Sequence, residues 1–402
     1  MTEARFTGNF TQQEPIPEEA VAAAAQVLRS GRLHRYNVVA GEVPQAALLE
    51  REYADWQGVR YCLATTSGGT ALQIALRAVG VRPGDRVLTN AFTLAPVPGA
   101  IHGVGGEPVL VEITADLVID LDDLAAKARA SGARVLMLSL MRGHLPDMDR
   151  LMDIAAAHGL TVIEDCAHTM GARWNGRLSG SFGAVGCFST QTYKHLNSGE
   201  GGFLVSEDAG IMARAIVLSG SYMLYDRHGA APDPAVFEGL RLEMPNLSAR
   251  MDNLRAAILR PQLARLDDNI ARWNRRHDAL EDVLRSCPAI RLPERPAAAL
   301  RVGSSIQFRL PGIDAEGAGR FLARTAARGV ELKWFGAAQP AGYTSSHHSW
   351  RYMTPQDLPR TDAVLAELFD MRLPLTFSLA DCRLIGAILV EEAAALAAAA
   401  AS

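Results

Sequence analysis

Lysine is almost absent from this chain. Its 402 residues hold 37 arginines but only three lysines, Lys127, Lys194 and Lys333. No run of five or six basic residues occurs and the net charge is -4, so neither nucleic acid nor an anionic membrane surface is expected as a partner. The five cysteines (Cys62, Cys166, Cys187, Cys287, Cys382) are odd in number, sit mostly in apolar stretches and form no CxxC pair. That pattern fits free thiols in a reducing cytoplasm and gives no metal site. Eighteen unbroken apolar residues occur nowhere outside the Ala-rich tail. The tail, Val390 to Ala401, contains Glu391 and Glu392 and reads as a terminal helix rather than a membrane anchor. The first thirty residues run from polar and acidic to Ala-rich, without the basic-then-apolar order of a signal peptide.

What is present is ample apolar content, 49% of the residues, enough for a large core and two domains. Short runs rich in Val, Leu and Ile begin at Arg86, Pro108, Arg134, Thr161, Val185 and Gly202. Helical patterns such as Thr70 to Val79 and Met148 to His158 separate several of them. This alternation predicts an α/β fold: a large domain with a mainly parallel sheet over residues 1–260, then a smaller C-terminal α/β domain over 261–402. Ser219 to Glu243 reads as a long polar loop, and Ala249 to Ser286 as a long helical stretch. Ligands of such sheets bind beyond the carboxyl ends of the strands, where Asp165 and Ser189 stand.

Among these residues Lys194 invites a chemical reading, because Lys can lose its proton and Arg cannot. A neutral lysine amine forms a Schiff base with an aldehyde, and pyridoxal 5'-phosphate (PLP) is the commonest protein-bound aldehyde. An ordinary surface lysine is the other reading. PLP chemistry also needs an anion beside the pyridinium nitrogen. The run Thr161-Val-Ile-Glu164-Asp165 ends in two carboxylates on opposite faces, so only one can serve, and Asp165 also suits a helix N-cap. His168, one helical turn on, suits either the ring hydroxyl or a satisfied core position. Thr66-Ser67-Gly68-Gly69-Thr70 follows a strand and opens a helix, which makes either a phosphate cradle or a plain turn.

Taken in order, Ser67-Gly68-x-x-Ala71-Leu72, Glu164-Asp165-x-Ala167-His168, Gly180-Ser181-Phe182-Gly183, Cys187-Phe188-Ser189 and Lys194-x-x-x-x-Gly199-Glu200-Gly201-Gly202 resemble the DegT/StrS-type aminotransferases. These are fold-type I PLP enzymes, best known for aminating keto-sugars of nucleotide sugars and cyclitols. The resemblance extends through Gly31 to Tyr36, Arg82 to Asp85, Gly143 to Asp149 and Arg250-Met251. It implies that Lys194 carries the Schiff base and shuttles the proton, that Asp165 pairs with the ring nitrogen, and that His168 lies by the ring hydroxyl. Gly69, Thr70 and Ser189 would hold the phosphate. The implied reaction is ping-pong, with glutamate or glutamine as donor and a keto-sugar or cyclitol as acceptor.

The chain departs from the family pattern in three places. Leu94 stands where the family places an aromatic residue over the ring, and Phe92 is its nearest aromatic. Ser248, with Asn246 two residues earlier, stands where the family supplies an asparagine across an obligatory homodimer with shared active sites. Lys333-Trp334-Phe335-Gly336 and the stretch Tyr343 to Tyr352 replace the family's substrate-side His/Tyr pattern, which also admits a small non-sugar keto compound. There His347 and His348 read as a solvated loop pair. Arg35, Arg250 and Lys333 are candidate carboxylate or phosphate contacts on charge grounds, in a chain where most arginines are surface charges. A PLP-dependent sugar dehydratase and a non-catalytic regulator on the same fold are the competing readings; Lys194 argues against the first, since family dehydratases can replace it with histidine.

Overall fold

The computed structural model describes residues 4–340 and 346–401. Tyr343 lies outside them. The runs between polar turns become nine strands in the first half of the chain. They are β1 (Tyr61–Thr65), β2 (Arg86–Asn90), β3 (Glu107–Val111), β4 (Val135–Ser139), β5 (Thr161–Asp165), the short pair β6 (Arg173–Trp174) and β7 (Arg177–Leu178), β8 (Val185–Ser189) and β9 (Gly202–Ser206). Seven form one sheet in the order β1-β9-β8-β5-β4-β2-β3. All run parallel except β9, which is antiparallel to β1 and β8. Helices cover both faces, which is why a strand such as β4 is buried at every residue and reads as an unbroken apolar run. Ser139 pairs in register with Asp165, and Asp165 with Cys187. The carboxyl ends of β4, β5 and β8 therefore form one ledge.

Later residues add β10 (Ala299–Leu300), which joins β6 and β7, and an antiparallel sheet of β11 (Ser305–Arg309), β12 (Lys333–Trp334) and β13 (Leu368–Arg372). Its core stacks Phe308 on Phe369 and sets Phe321 edge-on to Phe369. Phe6 and Phe10, from the start of the chain, pack in this second core, with rings 4.8 and 5.0 Å from that of Phe377. The edge strand β3 is covered from the C-terminal half: Gln356 accepts from Leu110 N–H and donates to the Pro108 carbonyl, as a neighbouring strand would.

Two expectations are modified. Ser219 to Glu243 is an anchored loop, with 3-10 turns at Tyr225–Arg227 and Pro234–Phe237 and a buried Phe237 stacked on Tyr225 at 4.0 Å. The helical stretch after Ala249 is two helices, Asn253–Leu263 and Leu266–Leu284. Pro261 lacks an N–H and crowds the preceding turn, and the first helix ends two residues later. The tail belongs to the helix Leu379–Ala401; among the described residues no helix is long and apolar enough to cross a membrane.

Phe10→Ala is expected to cost about 3 kcal/mol, the usual effect of emptying a buried aromatic site. Urea melts of the two proteins measure it; a loss below about 0.5 kcal/mol, typical of a surface change, would remove this segment from the core.

Candidate active site

The ledge at the strand ends carries Asn90, Ser139, Asp165 and Ser189. Above it the segment after β8 doubles back on itself: Thr190 N–H donates to the Gly201 carbonyl, Ser198 N–H to the Thr190 carbonyl, and the Thr190 and Ser198 hydroxyls meet at 2.8 Å. Only glycine fits at 201, because a Cβ there would lie 2.3 Å from Thr190 Oγ1. The closed loop projects Lys194 inward. Its Nζ lies 2.8 Å from His168 Nε2.

Asp165 Oδ2 accepts from Ser139 Oγ at 3.3 Å and Oδ1 from Ala167 N–H at 3.1 Å. Ser139 is itself fixed by Thr93 Oγ1 at 2.7 Å and by the Asn90 amide. Glu164, on the opposite face of β5, accepts three N–H groups, from Gly180, Phe182 and Gly183, each at 2.7 Å. It shapes the Gly-Ser-Phe-Gly turn and is turned away from Lys194. The pair of carboxylates is thereby divided into a structural member and a site member.

The helix Gly68–Ala78 begins beside Ser189. Ser67 Oγ caps it by accepting from Thr70 N–H at 3.0 Å, while the first N–H groups, on Gly68 and Gly69, have no partner inside the helix. A Cβ at Gly68 would lie 2.8 Å from Ser189 Cβ, so the glycine permits the contact between cap and strand end. Ser189 Oγ accepts from Gln191 N–H at 3.3 Å. Gly69, Thr70 and Ser189 thus stand together at a helix N-terminus, whose positive end favours an anion.

Burial sets the electrostatics. It brings the Lys194 amine down to about 7, with Arg142 and Arg372 adding repulsion and Asp165 partly opposing them. His168 is held well below its ordinary value, first by burial and then by Lys194 and Arg142, so it is neutral. Burial raises Asp165, and the Lys194 charge pulls it back. A cavity of about 280 Å³ opens onto Lys194 and His168, lined also by Leu94, Arg142, Tyr193 and Arg372. Leu94 reaches it. Phe92 is fully buried against Phe335 and does not.

Arg142 and Arg372 carried no sequence signal in a chain with 37 arginines. Arg142 follows β4 in a left-handed conformation (φ 57°) and pairs with Asp370 of β13 at 2.6 Å, both side chains buried. Asp370 also accepts from Gln307 Nε2, and Gln307 Oε1 is 2.8 Å from His144 Nε2. Arg372 lies over the Tyr193 ring at 3.9 Å and has no carboxylate partner among the described residues. None of the anion candidates named from sequence lines this cavity. Arg35 is fully buried in a bidentate pair with Glu50, and Arg250 donates to the Gly220 carbonyl. Lys333 is half-buried next to Arg142, lowered to about 8 chiefly by burial.

The model of the DegT/DnrJ/EryC1/StrS aminotransferase family matches residues 15–386. The chain belongs to that family. It is an aminotransferase. The L-glutamine:scyllo-inosose aminotransferase of Streptomyces griseus is 33% identical to it over 313 residues, 76% of this chain and 69% of the relative. The dTDP-3-amino-3,4,6-trideoxy-alpha-D-glucose transaminase of Streptomyces venezuelae is 33% identical over 287 residues, 70% of this chain and 69% of the relative. Among solved structures, S. venezuelae DesV superposes with a TM-score of 0.79 at 27% identity, covering 94% of each chain. A 3-amino-5-hydroxybenzoic acid synthase shares the fold, with a TM-score of 0.81 at 24% identity over 96% of this chain and 99% of the other. The fold is that of the type I PLP-dependent transferases.

In this aminotransferase the sequence-predicted residues Lys194, His168, Asp165 and Leu94 converge, with Gly69, Thr70 and Ser189 grouped at the adjoining helix N-terminus. Asn246 and Ser248 do not join them. Both are exposed, and Asn246 Oδ1 accepts from Ser248 N–H at 2.8 Å and from Arg250. His195, next to Lys194, turns to Ser304 Oγ at 3.0 Å and the Trp273 ring edge.

The depressed Lys194 value has a thermodynamic sign. Between about 7 and the ordinary 10.5 the unfolded chain holds a proton that the folded chain lacks, so folding stability rises with pH across that window. In cofactor-free protein, Lys194→Met is expected to be more stable than the unmutated chain at pH 7, with the gap closing as pH rises toward 10. Denaturant midpoints at several pH values measure this, and a gap independent of pH would contradict the assigned burial of the amine.

Proposed function

We propose that this aminotransferase holds pyridoxal 5'-phosphate at Lys194 and moves the amino group of glutamine to a small keto-cyclitol or keto-sugar. The observation that carries the reading is the convergence of Lys194, His168 and Asp165 beside the helix N-terminus at Gly68. The residues fit the group on three counts. A buried carboxylate raised by desolvation gains from a cationic ring N–H beside it. The N–H groups at Gly68 and Gly69, with the Thr70 and Ser189 hydroxyls, suit a phosphate dianion. The Lys194 amine is substantially neutral near pH 7 and therefore nucleophilic.

When bound, the cofactor supplies an aldehyde that condenses with amines and a ring that withdraws electrons from the adjoining carbon. The protein does the rest. Asp165 would keep the ring nitrogen protonated. Lys194 Nζ would take the proton from the donor's α-carbon and return one to the acceptor's carbon; neutral His168 Nε2 is its hydrogen-bond partner. Arg372 and Arg142 face the same cavity and would hold the donor carboxylate. Leu94 would cover the ring by dispersion without a stacking contribution.

Several relatives are named for glutamine and inosose, which supports that donor and a cyclitol acceptor.

We further infer that a second copy completes the site. Tyr222, Met223, Leu242 and Leu247 expose large apolar side chains around Asn246 and Ser248, and Tyr222, Met223 and Ser248 all adopt left-handed backbone conformations. Such strain persists where surroundings over-determine it, and an isologous interface would do so. This surface would carry Asn246 or Ser248 to the partner's phosphate.

Purified protein loaded with PLP is expected to show a visible imine band that glutamine bleaches and that Lys194→Ala lacks. Keto-cyclitols should restore the band in the bleached form. A protein that binds no PLP sinks the proposal. For the dimer, mixing inactive Lys194→Ala with an inactive Asn246→Ala/Ser248→Ala double variant is expected to regain about a quarter of the full activity, because half of the random dimers carry one intact shared site. Absence of recovery after verified subunit exchange would place both defects in one protomer's site.

A further inference from the structure

Away from the cavity, two histidines and a carboxylate converge in the C-terminal half. His347 and His348 belong to the 3-10 turn His347–Ser349, and Asp362 to the first turn of the helix Pro359–Ala366. His347 Nε2 lies 2.8 Å, and His348 Nε2 3.0 Å, from the same atom, Asp362 Oδ1. The two rings are 3.9 Å apart, tilted by 39°. In sequence the pair reads as a solvated loop. The geometry is different: the His347 side chain is 2% exposed, and both imidazoles aim the same nitrogen at one oxygen.

Charge pairing elsewhere in the chain sharpens the point. Arginine is the usual partner of carboxylates here, and Arg360, two residues before Asp362, is spent on Asp120 and Glu112. Among the described residues Asp362 has only the two histidines. A second His/Asp/Glu group, His277 with Asp278 and Glu281, makes the contrast. There Arg301 bridges both carboxylates, 2.8 Å from Glu281 and closer still to Asp278, and Arg285 adds to Glu281. That group already holds its cation.

We propose that His347, His348 and Asp362 bind one zinc-class divalent ion. Two imidazole nitrogens and one carboxylate oxygen are the donor set of borderline-soft first-row metals, and they disfavour calcium or magnesium. The three donor atoms lie within 4.8 Å of one another. Ligands about 2.05 Å from a tetrahedral zinc stand about 3.3 Å apart, so the observed 2.8 and 3.0 Å separations need to open by only a few tenths of an ångström. His348 and Asp362 are 63% and 39% exposed, which leaves a route from solvent and a fourth position for water.

The ion would clip the turn at 347–349 to the helix that follows. The intervening segment carries Trp350, buried against Ala91 and Leu110, and Gln356, which pairs with the edge of β3. Closing that segment through a metal stabilises its docking by restricting the unfolded chain.

The test uses untagged, PLP-loaded protein, first dialysed against chelator and then titrated with zinc chloride by calorimetry and with cobalt chloride by visible absorption. One equivalent per chain and the intense bands of tetrahedral cobalt are expected, with a rise in Tm on zinc addition. His348→Ala and Asp362→Asn, both at exposed positions, should keep the cofactor band, weaken zinc at least roughly ten-fold and lose the Tm rise. His277→Ala should bind as the unmutated chain does. No stoichiometric binding, or equal binding by His348→Ala, overturns the site.

Discussion

Taking one amine out of water is the constraint on which this structure turns. Lys194 is useful only if it is neutral near physiological pH, and desolvation is the main means of making it so. Burial needs walls, and the walls come from both parts of the chain: the strand ends of the large sheet below, and Arg372, Ser304 and Ser305 of the later residues above. The two arginines that add repulsion at Lys194 are also the groups that would attract a substrate carboxylate. On the proposed function a single arrangement of charge would serve nucleophile and substrate together.

Arg142 shows how the two sheets are joined around that point. Its left-handed backbone costs about 1 kcal/mol or more for a non-glycine residue. The buried pair with Asp370 offsets the strain, and Gln307 and His144 extend the contact back to the large sheet's own loop. The circuit starts and ends on residues 142–144 and passes through β11 and β13. Displacing the second sheet would move a charge at the cavity.

Much of this was legible in the sequence, for identifiable reasons. Strands buried on both faces are unbroken apolar runs, so the expected starts at Arg86 and Thr161 matched and the one at Arg134 fell a single residue before Val135. Lys194, Asp165 and His168 were candidates because family order placed them; strand alternation set Glu164 and Asp165 on opposite faces without saying which of the two faces the site. Arg142 and Arg372 were hidden, since a residue type used 37 times carries no positional information. The convergence of His347 and His348 on Asp362 was hidden for another reason: it joins residues fourteen and fifteen apart across a loop with no periodicity. The anchoring of Phe6 and Phe10 in the second core spans most of the chain and leaves no local trace.

The neighbouring carboxylates of β5 carry a consequence for evolution. Asp165 faces Lys194, and Glu164 grips three backbone N–H groups on the other side. A slip of one residue along β5 would exchange the two faces. The cavity would receive the longer acid, and the Gly180–Gly183 turn would lose its acceptor in the same event. Insertions and deletions within this strand are thus penalised twice, in chemistry and in folding.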